Sequence, residues 1–139
     1  DPTNGDVYAA AFNTINRSTN GGTTWAGEVG AFGGNTAGVT DVVITSTGIV
    51  YAAIPGNGGA AVENQGIWRK QNGTWTRIAS GGSPSWFNSG NSLGRIVLAI
   101  TPSNENLVYA LYYNGLSSNC TTPVKEAELG RYDNASQTW

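Results

Sequence analysis

The stretch Arg17-Ser18-Thr19-Asn20-Gly21-Gly22-Thr23-Thr24-Trp25 decides how the chain is read. It returns in altered form as Arg131-Tyr132-Asp133-Asn134-Ala135-Ser136-Gln137-Thr138-Trp139, with Arg, Asn, Thr and Trp in the same places. A shorter version, Arg69-Lys70-Gln71-Asn72-Gly73-Thr74-Trp75, lies between them. Asn and Gly tolerate positive φ, so each stretch reads as a hairpin turn. An Asn side chain at the bend can accept hydrogen bonds from backbone N–H groups and hold the turn closed. The Trp that follows gives the outgoing strand a large apolar surface to bury. One such turn fixes no architecture, but three turns, each followed by Trp, indicate a repeat.

The flanks repeat too. Upstream of the turns lie Asp6-Val7-Tyr8-Ala9-Ala10, Ile49-Val50-Tyr51-Ala52-Ala53 and Leu107-Val108-Tyr109-Ala110-Leu111, each with a Val-Tyr-Ala centre. Such β-branched and aromatic runs favour strands. Two of them follow a further apolar run, Val42-Val43-Ile44-Thr45 and Arg95-Ile96-Val97-Leu98-Ala99-Ile100. The unit is therefore four strands joined by local connections.

Ser18-Thr19-Asn20-Gly21-Gly22-Thr23-Thr24-Trp25 resembles the Asp-box, or BNR repeat, of β-propellers, whose pattern is Ser-x-Asp-x-Gly-x-Thr-Trp. Asn20 stands where the family usually has Asp, Ser136 replaces Gly in the last copy, and the middle copy is two residues short. Asp1-Pro2-Thr3-Asn4 and Thr101-Pro102-Ser103-Asn104 look like the family's inter-strand turns. The resemblance implies an all-β fold, a partial β-propeller of about three four-stranded antiparallel blades. Residues 1–40 would form an incomplete blade, 41–90 a complete one, and 91–139 a blade lacking the end of its last strand. The first blade's first strand would precede Asp1, which makes the chain a segment of a longer protein. The tryptophans are 50 and then 64 residues apart, where a blade needs about 40–50. The excess falls in the loop around Cys120, where insertion costs little. Closed propellers have 4–8 blades, so the implied partners include the remaining blades of the same protein.

Composition narrows the functional classes. The chain has 139 residues with 20 Gly, 5 Trp, 6 Tyr and only 12% charged residues. A net charge of -2 and a pI near 4.9 leave no basic stripe for nucleic acid. No apolar run is long enough for a membrane-spanning helix. Cys120 is the only cysteine, so no internal disulfide forms. Abundant Asn, Ser, Thr and aromatic residues with few Lys fit a secreted or cell-surface protein. The sequons at Asn16, Asn72, Asn119 and Asn134 matter only in a secretory eukaryote, and three of them fall in or beside the repeat turns.

The repeat-turn residues Asn20, Gly22, Trp25, Asn72, Trp75, Asn134 and Trp139 are read as structural, with Trp25 buried between strands. Arg17, Arg69 and Arg131 recur at one position. A sialidase grips a carboxylate with three arginines, but repetition by register equally gives a structural ion pair or cation–π contact. Glycoside hydrolysis needs two carboxyl groups across a bond, and Glu63 with Glu126 or Glu128 fall in corresponding loops. Nothing local marks them as acid and base. The chain has no His, offers no clustered carboxylates, and is expected to hold no metal and no cofactor. Trp86, Phe87, Tyr112 and Tyr113 lie in or beside the long connections, where exposed rings stack on sugars or anchor a protein. The same rings also suit packing between blades.

The sequence thus points to a non-catalytic extracellular recognition or scaffold propeller. It would bind a glycan or protein through its long-loop face, with Trp86 and Tyr113 as leading anchors. Two alternatives stay open: a segment of a secreted glycoside hydrolase, with catalytic residues mostly elsewhere, and a sortilin-like receptor ectodomain.

Overall fold

The computed structural model describes residues 1–12, 14–30, 41–55, 64–80, 83–84, 94–112 and 127–139. Among them the fold is all-β, with no helix. The strands are β1 (Val7–Ala11), β2 (Thr14–Ser18), β3 (Ala26–Gly30), β4 (Asp41–Ile44), β5 (Val50–Ile54), β6 (Gly66–Gln71), β7 (Thr74–Ala79), β8 (Ile96–Thr101), β9 (Asn104–Tyr112) and β10 (Glu128–Asp133). They form three antiparallel sheets: β1-β2-β3, β4-β5-β6-β7 and β8-β9-β10. Every strand pairs with its sequence neighbour, so each sheet is a meander built from one contiguous segment.

The sequence repeat is a repeat of register. Tyr8 lies opposite Arg17, Tyr51 opposite Arg69, and Tyr109 opposite Arg131. The ladders share a defect as well. A bulge falls between Ile15 and Asn16 in the β2–β3 pair and between Ile67 and Trp68 in the β6–β7 pair. Counted from Arg17 and Arg69, these are the same positions. The extra residues are Glu28 on β3 and Ile78 on β7. A bulge removes one residue from the ladder and steepens the local twist.

The sheets stack face to back. Alternation along each strand sends successive side chains to opposite faces. Ile15 and Val29 of the first sheet meet Ala52 and Ile54 of the second, with Tyr8, Val42, Trp68 and Trp75 packed around them. Tyr51, Ala53 and Ile67, on the second sheet's other face, meet Ile96, Leu98, Val108, Ala110, Tyr112 and Tyr132 of the third. β5 is covered on both sides and buried along its whole length. Polar contacts reinforce the stack. Asp41 Oδ2 accepts the Leu98 N–H at 2.8 Å. At the β4–β5 turn, Ser46 donates its hydroxyl to Glu105 at 2.5 Å and its N–H at 2.9 Å. These two bonds hold the Glu105 carboxyl below its usual range.

The three repeat turns close by different means. In the first, Asn20 Oδ1 accepts the Thr24 N–H at 2.9 Å, and Ser18 Oγ accepts the Gly22 N–H at 2.9 Å. The second is a two-residue hairpin with Asn72 and Gly73 both at positive φ, 51° and 78°. In the third, Asp133 rather than Asn134 closes the turn, accepting the Ala135 N–H at 2.8 Å.

The expected burial of Trp25 is corrected: it is 45% exposed, and its Nε1 donates to Gly22 O of its own turn at 3.0 Å. The other two repeat tryptophans explain why. Trp75 Nε1 donates to Glu28 at 2.9 Å, and Trp139 Nε1 donates to Ile78 O at 2.7 Å. Each docks on the bulge residue of the preceding sheet, and the first sheet has none before it among the described residues.

Two glycines separate steric from conformational demand. Gly66 has φ +135°, and a Cβ there would lie 2.1 Å from Ala79 O. Gly73 has φ +78° with open space around it. Gly73→Ala is expected to cost about 1–2 kcal/mol from backbone conformation alone. Gly66→Ala is expected to cost clearly more, because the β6–β7 ladder must part. Urea titration of both variants checks the order.

Candidate functional site

The described residues carry their densest group of charged side chains between the first two sheets. Arg17 lies on β2 and Asp6 just before β1. Arg17 Nε donates to Asp6 Oδ2 at 2.7 Å, and its Nη1 donates to Glu28 Oε1 at 3.2 Å. Lys70, from β6 of the second sheet, donates to Glu28 Oε2 and to the Tyr8 hydroxyl, the latter at 3.3 Å. Trp75 completes the shell around the Glu28 carboxylate. Glu28 can reach across because it is the bulge residue of β3, released from the ladder. Lys70 Nζ also sits 5.5 Å from the Tyr8 ring centre and 5.7 Å from that of Trp75. Both distances suit a cation–π contact.

Tyr8, Arg17, Glu28 and Lys70 line a cleft of about 400 Å³ at the end of the sheets that carries the tight turns. Its mouth is formed by Thr3, Asn4, Thr47, Asn72 and Gly73. Burial by itself pushes the Glu28 carboxyl up, but hydrogen bonds from Lys70, Trp75 and Arg17 outweigh it and hold the group below the usual carboxylate range. Glu28 is therefore ionised at neutral pH and is no proton donor there. Asp6 and Glu28 face Arg17 and Lys70, two anions against two cations. The arrangement ties sheet to sheet and presents hydroxyl and amide groups at its mouth.

A second polar group lies between the second and third sheets. Arg69 Nη1 donates to Asn134 Oδ1 at 2.7 Å and to the Tyr132 hydroxyl at 3.2 Å. Beside it, burial first and the neighbouring Tyr132 second push the Tyr51 hydroxyl up to about 12, against an opposing pull from Arg69.

The three recurring arginines do not converge. Arg17 pairs with Asp6 and Glu28 of its own sheet, Arg69 reaches Asn134 of the third sheet, and Arg131 lies exposed on the third sheet's outer face. One ligand carboxylate cannot be gripped by all three. Tyr112, read from sequence as a possible exposed anchor, is fully buried within the core shared by the second and third sheets. It has no ring face to offer a ligand. Trp86, Phe87 and Tyr113, and the carboxylates Glu63 and Glu126, lie outside the described residues. Glu128 is half-buried on β10. Among the described residues, no group of three His, Cys, Asp or Glu side chains is placed to hold a metal ion. No helix among them is long and apolar enough to cross a membrane.

Two residues were missed from sequence. Glu28 had a signal: it is the one charge between Arg17 and Asp41, just past the repeat Trp. Phe12, 72% exposed beyond the end of β1, had none, because it reads as one more apolar residue after Ala9-Ala10-Ala11. No known protein family, curated protein or solved structure matches the chain.

The Glu28 cluster makes stability depend on pH. A carboxyl held down in the fold stabilises it above the unfolded-state pKa, near 4.3, and loses that contribution as pH falls through the folded value. The wild type is expected to lose more stability between about pH 6 and pH 3 than Glu28→Gln, whose acid limb should be flatter. Thermal unfolding across that range measures the difference.

Proposed function

We propose that the chain is a β-propeller segment that serves as a recognition scaffold, with a glycan or a protein bound at the end carrying the long connections. The supporting observation is the difference in connection length in the second and third sheets; the first sheet departs from it, with residues 19–25 at the tight-turn end and only 12–13 at the other. In an antiparallel meander, alternate connections share an end. The turns β4–β5, β6–β7 and β8–β9 span only a few residues, and all lie at the end that holds the polar cleft or the Ser46–Glu105 contact. The connections 31–40, 55–65, 80–95 and 113–127 run from the opposite ends of their strands. Variable length on a fixed frame belongs where binding is tuned. Phe12 lies at that same end and leaves an aromatic ring in solvent. Trp86 and Tyr113 belong to the same set of connections.

The three sheets share a register and stack face to back, which is how propeller blades meet. Composition favours a secreted or cell-surface setting. The role is binding rather than catalysis, since the described carboxylates nearest one another are already engaged by Arg17 and Lys70.

A glycan array probed with labelled chain tests the reading. Binding to at least one glycan class is expected. Trp86→Ala combined with Tyr113→Ala should weaken it more than tenfold with an unchanged circular dichroism spectrum, as loss of stacked rings does. Binding that survives this pair and fails instead on Asn72→Ala would move the ligand to the tight-turn end.

A further inference from the structure

The two contacts between successive sheets use one register but carry different charge. Where the first and second sheets meet stand Asp6, Tyr8, Arg17, Glu28, Lys70 and Trp75, two anions against two cations. One sheet further on, the same positions hold Ile49, Tyr51, Arg69, Ile78, Tyr132 and Trp139. Both carboxylates are replaced by isoleucine and the lysine by tyrosine. Ile49 and Ile78 pack against the apolar core shared by the second and third sheets. One cation remains, Arg69, without an anion from either position.

Arg69 is only 9% exposed, and Tyr51, opposite it across the β5–β6 ladder, is fully buried. Arg69 Nη1 donates to Asn134 and to Tyr132, and both acceptors are neutral. Among the described residues no carboxylate lies within ion-pair reach of Arg69. Its Nε and the Tyr51 hydroxyl are both buried without a hydrogen-bond partner among those residues. A buried charge is costly unless paired, and each buried polar atom left without a partner adds its own penalty. The pull of Arg69 on the Tyr51 hydroxyl places the two groups close together. One negative charge between them meets the whole deficit. Burial pushes the Tyr51 and Tyr132 hydroxyls up, so both keep their protons at neutral pH and can donate.

We infer that Arg69 Nε–H, with the Tyr51 and Tyr132 hydroxyls, holds a small monovalent anion of the halide class, chloride foremost, buried between the second and third sheets. A single charge is required because a single cation is unpaired. A halide accepts from donors in any direction. Ile49 and Ile78 stand where two carboxylates reach Arg17, and they offer no donors to the outer oxygens of a phosphate or sulfate. The ion does for Arg69 what Asp6 and Glu28 do for Arg17, with its charge supplied from solvent rather than from the chain. The site is separate from the long-connection end and independent of any ligand bound there.

Chloride titration of the full-length protein tests the site, at constant ionic strength with gluconate as the replacing anion. An ion that binds only the folded state raises the unfolding temperature with the logarithm of its concentration. The wild type is expected to gain several degrees between about 5 and about 500 mM chloride, and to broaden the chlorine NMR line of the buffer. Arg69→Gln should flatten the titration and remove that broadening. Arg131→Gln, at an exposed position, should leave both as in the wild type. Tyr51→Phe removes an unpartnered hydroxyl, so without chloride it should be at least as stable as the wild type, and it should gain less when chloride is added. Tyr51→Phe decides the matter if Arg69→Gln fails to fold. A wild type indifferent to chloride in both measurements overturns the proposal and leaves these donors to buried water. A chloride response kept in full by Arg69→Gln or by Tyr51→Phe overturns it by placing the ion elsewhere.

Discussion

The structure depends on a tryptophan of one sheet donating its indole N–H to the bulge residue of the sheet before it. Trp75 reaches Glu28 and Trp139 reaches Ile78. The two acceptors differ chemically, one a side-chain carboxylate and the other a backbone carbonyl. What is common is the place: the residue that a bulge frees from its ladder. A strand in regular pairing has its carbonyls and N–H groups committed to its neighbours. At Ile78 the bulge supplies a backbone carbonyl that the next sheet's Trp139 can use, and at Glu28 it sets the side chain toward Trp75. The large ring then fills the space along the contact. One local irregularity, repeated at one register position, thus gives each following sheet's tryptophan a docking point.

Much of this was legible in the sequence, and the reasons are specific. The Val-Tyr-Ala strands were found because β-branched and aromatic runs bounded by Gly and Asn leave few alternatives. The Arg–Tyr pairing across three sheets is what a repeat of fixed strand and turn length must give. Closure of the first turn by Asn20 also followed from side-chain chemistry. The failures are equally specific. Trp25 was expected to be buried because its type and position match Trp75, but burial depends on whether a sheet lies behind, which no local pattern records. The third turn has Asp133 beside Asn134, and the more strongly accepting carboxylate takes the backbone N–H, freeing Asn134 for Arg69.

The candidate site was only partly legible. Glu28 was missed although it is the one charge between Arg17 and Asp41, and its partners Lys70 and Trp75 are more than 40 residues away in sequence. Nothing in the sequence marks a bulge at Ile15 and Asn16, since any residue can occupy one. Tyr112 follows from alternation once β9 is known to run through it: Val108, Ala110 and Tyr112 face one way, and that way is inward. Read as a loop residue it looked exposed, and the error was one of strand length.

The meander order has a consequence for how the molecule comes apart. Among the described residues all strand pairing is between sequence neighbours, and each packing contact joins one sheet only to the next. Such a chain behaves as a short one-dimensional array, in which stability is a sum of unit and nearest-neighbour contributions. The middle sheet is held from two sides and the outer sheets from one. Opening therefore begins at the outer sheets, and the amides of β5 exchange with solvent only when the whole array gives way.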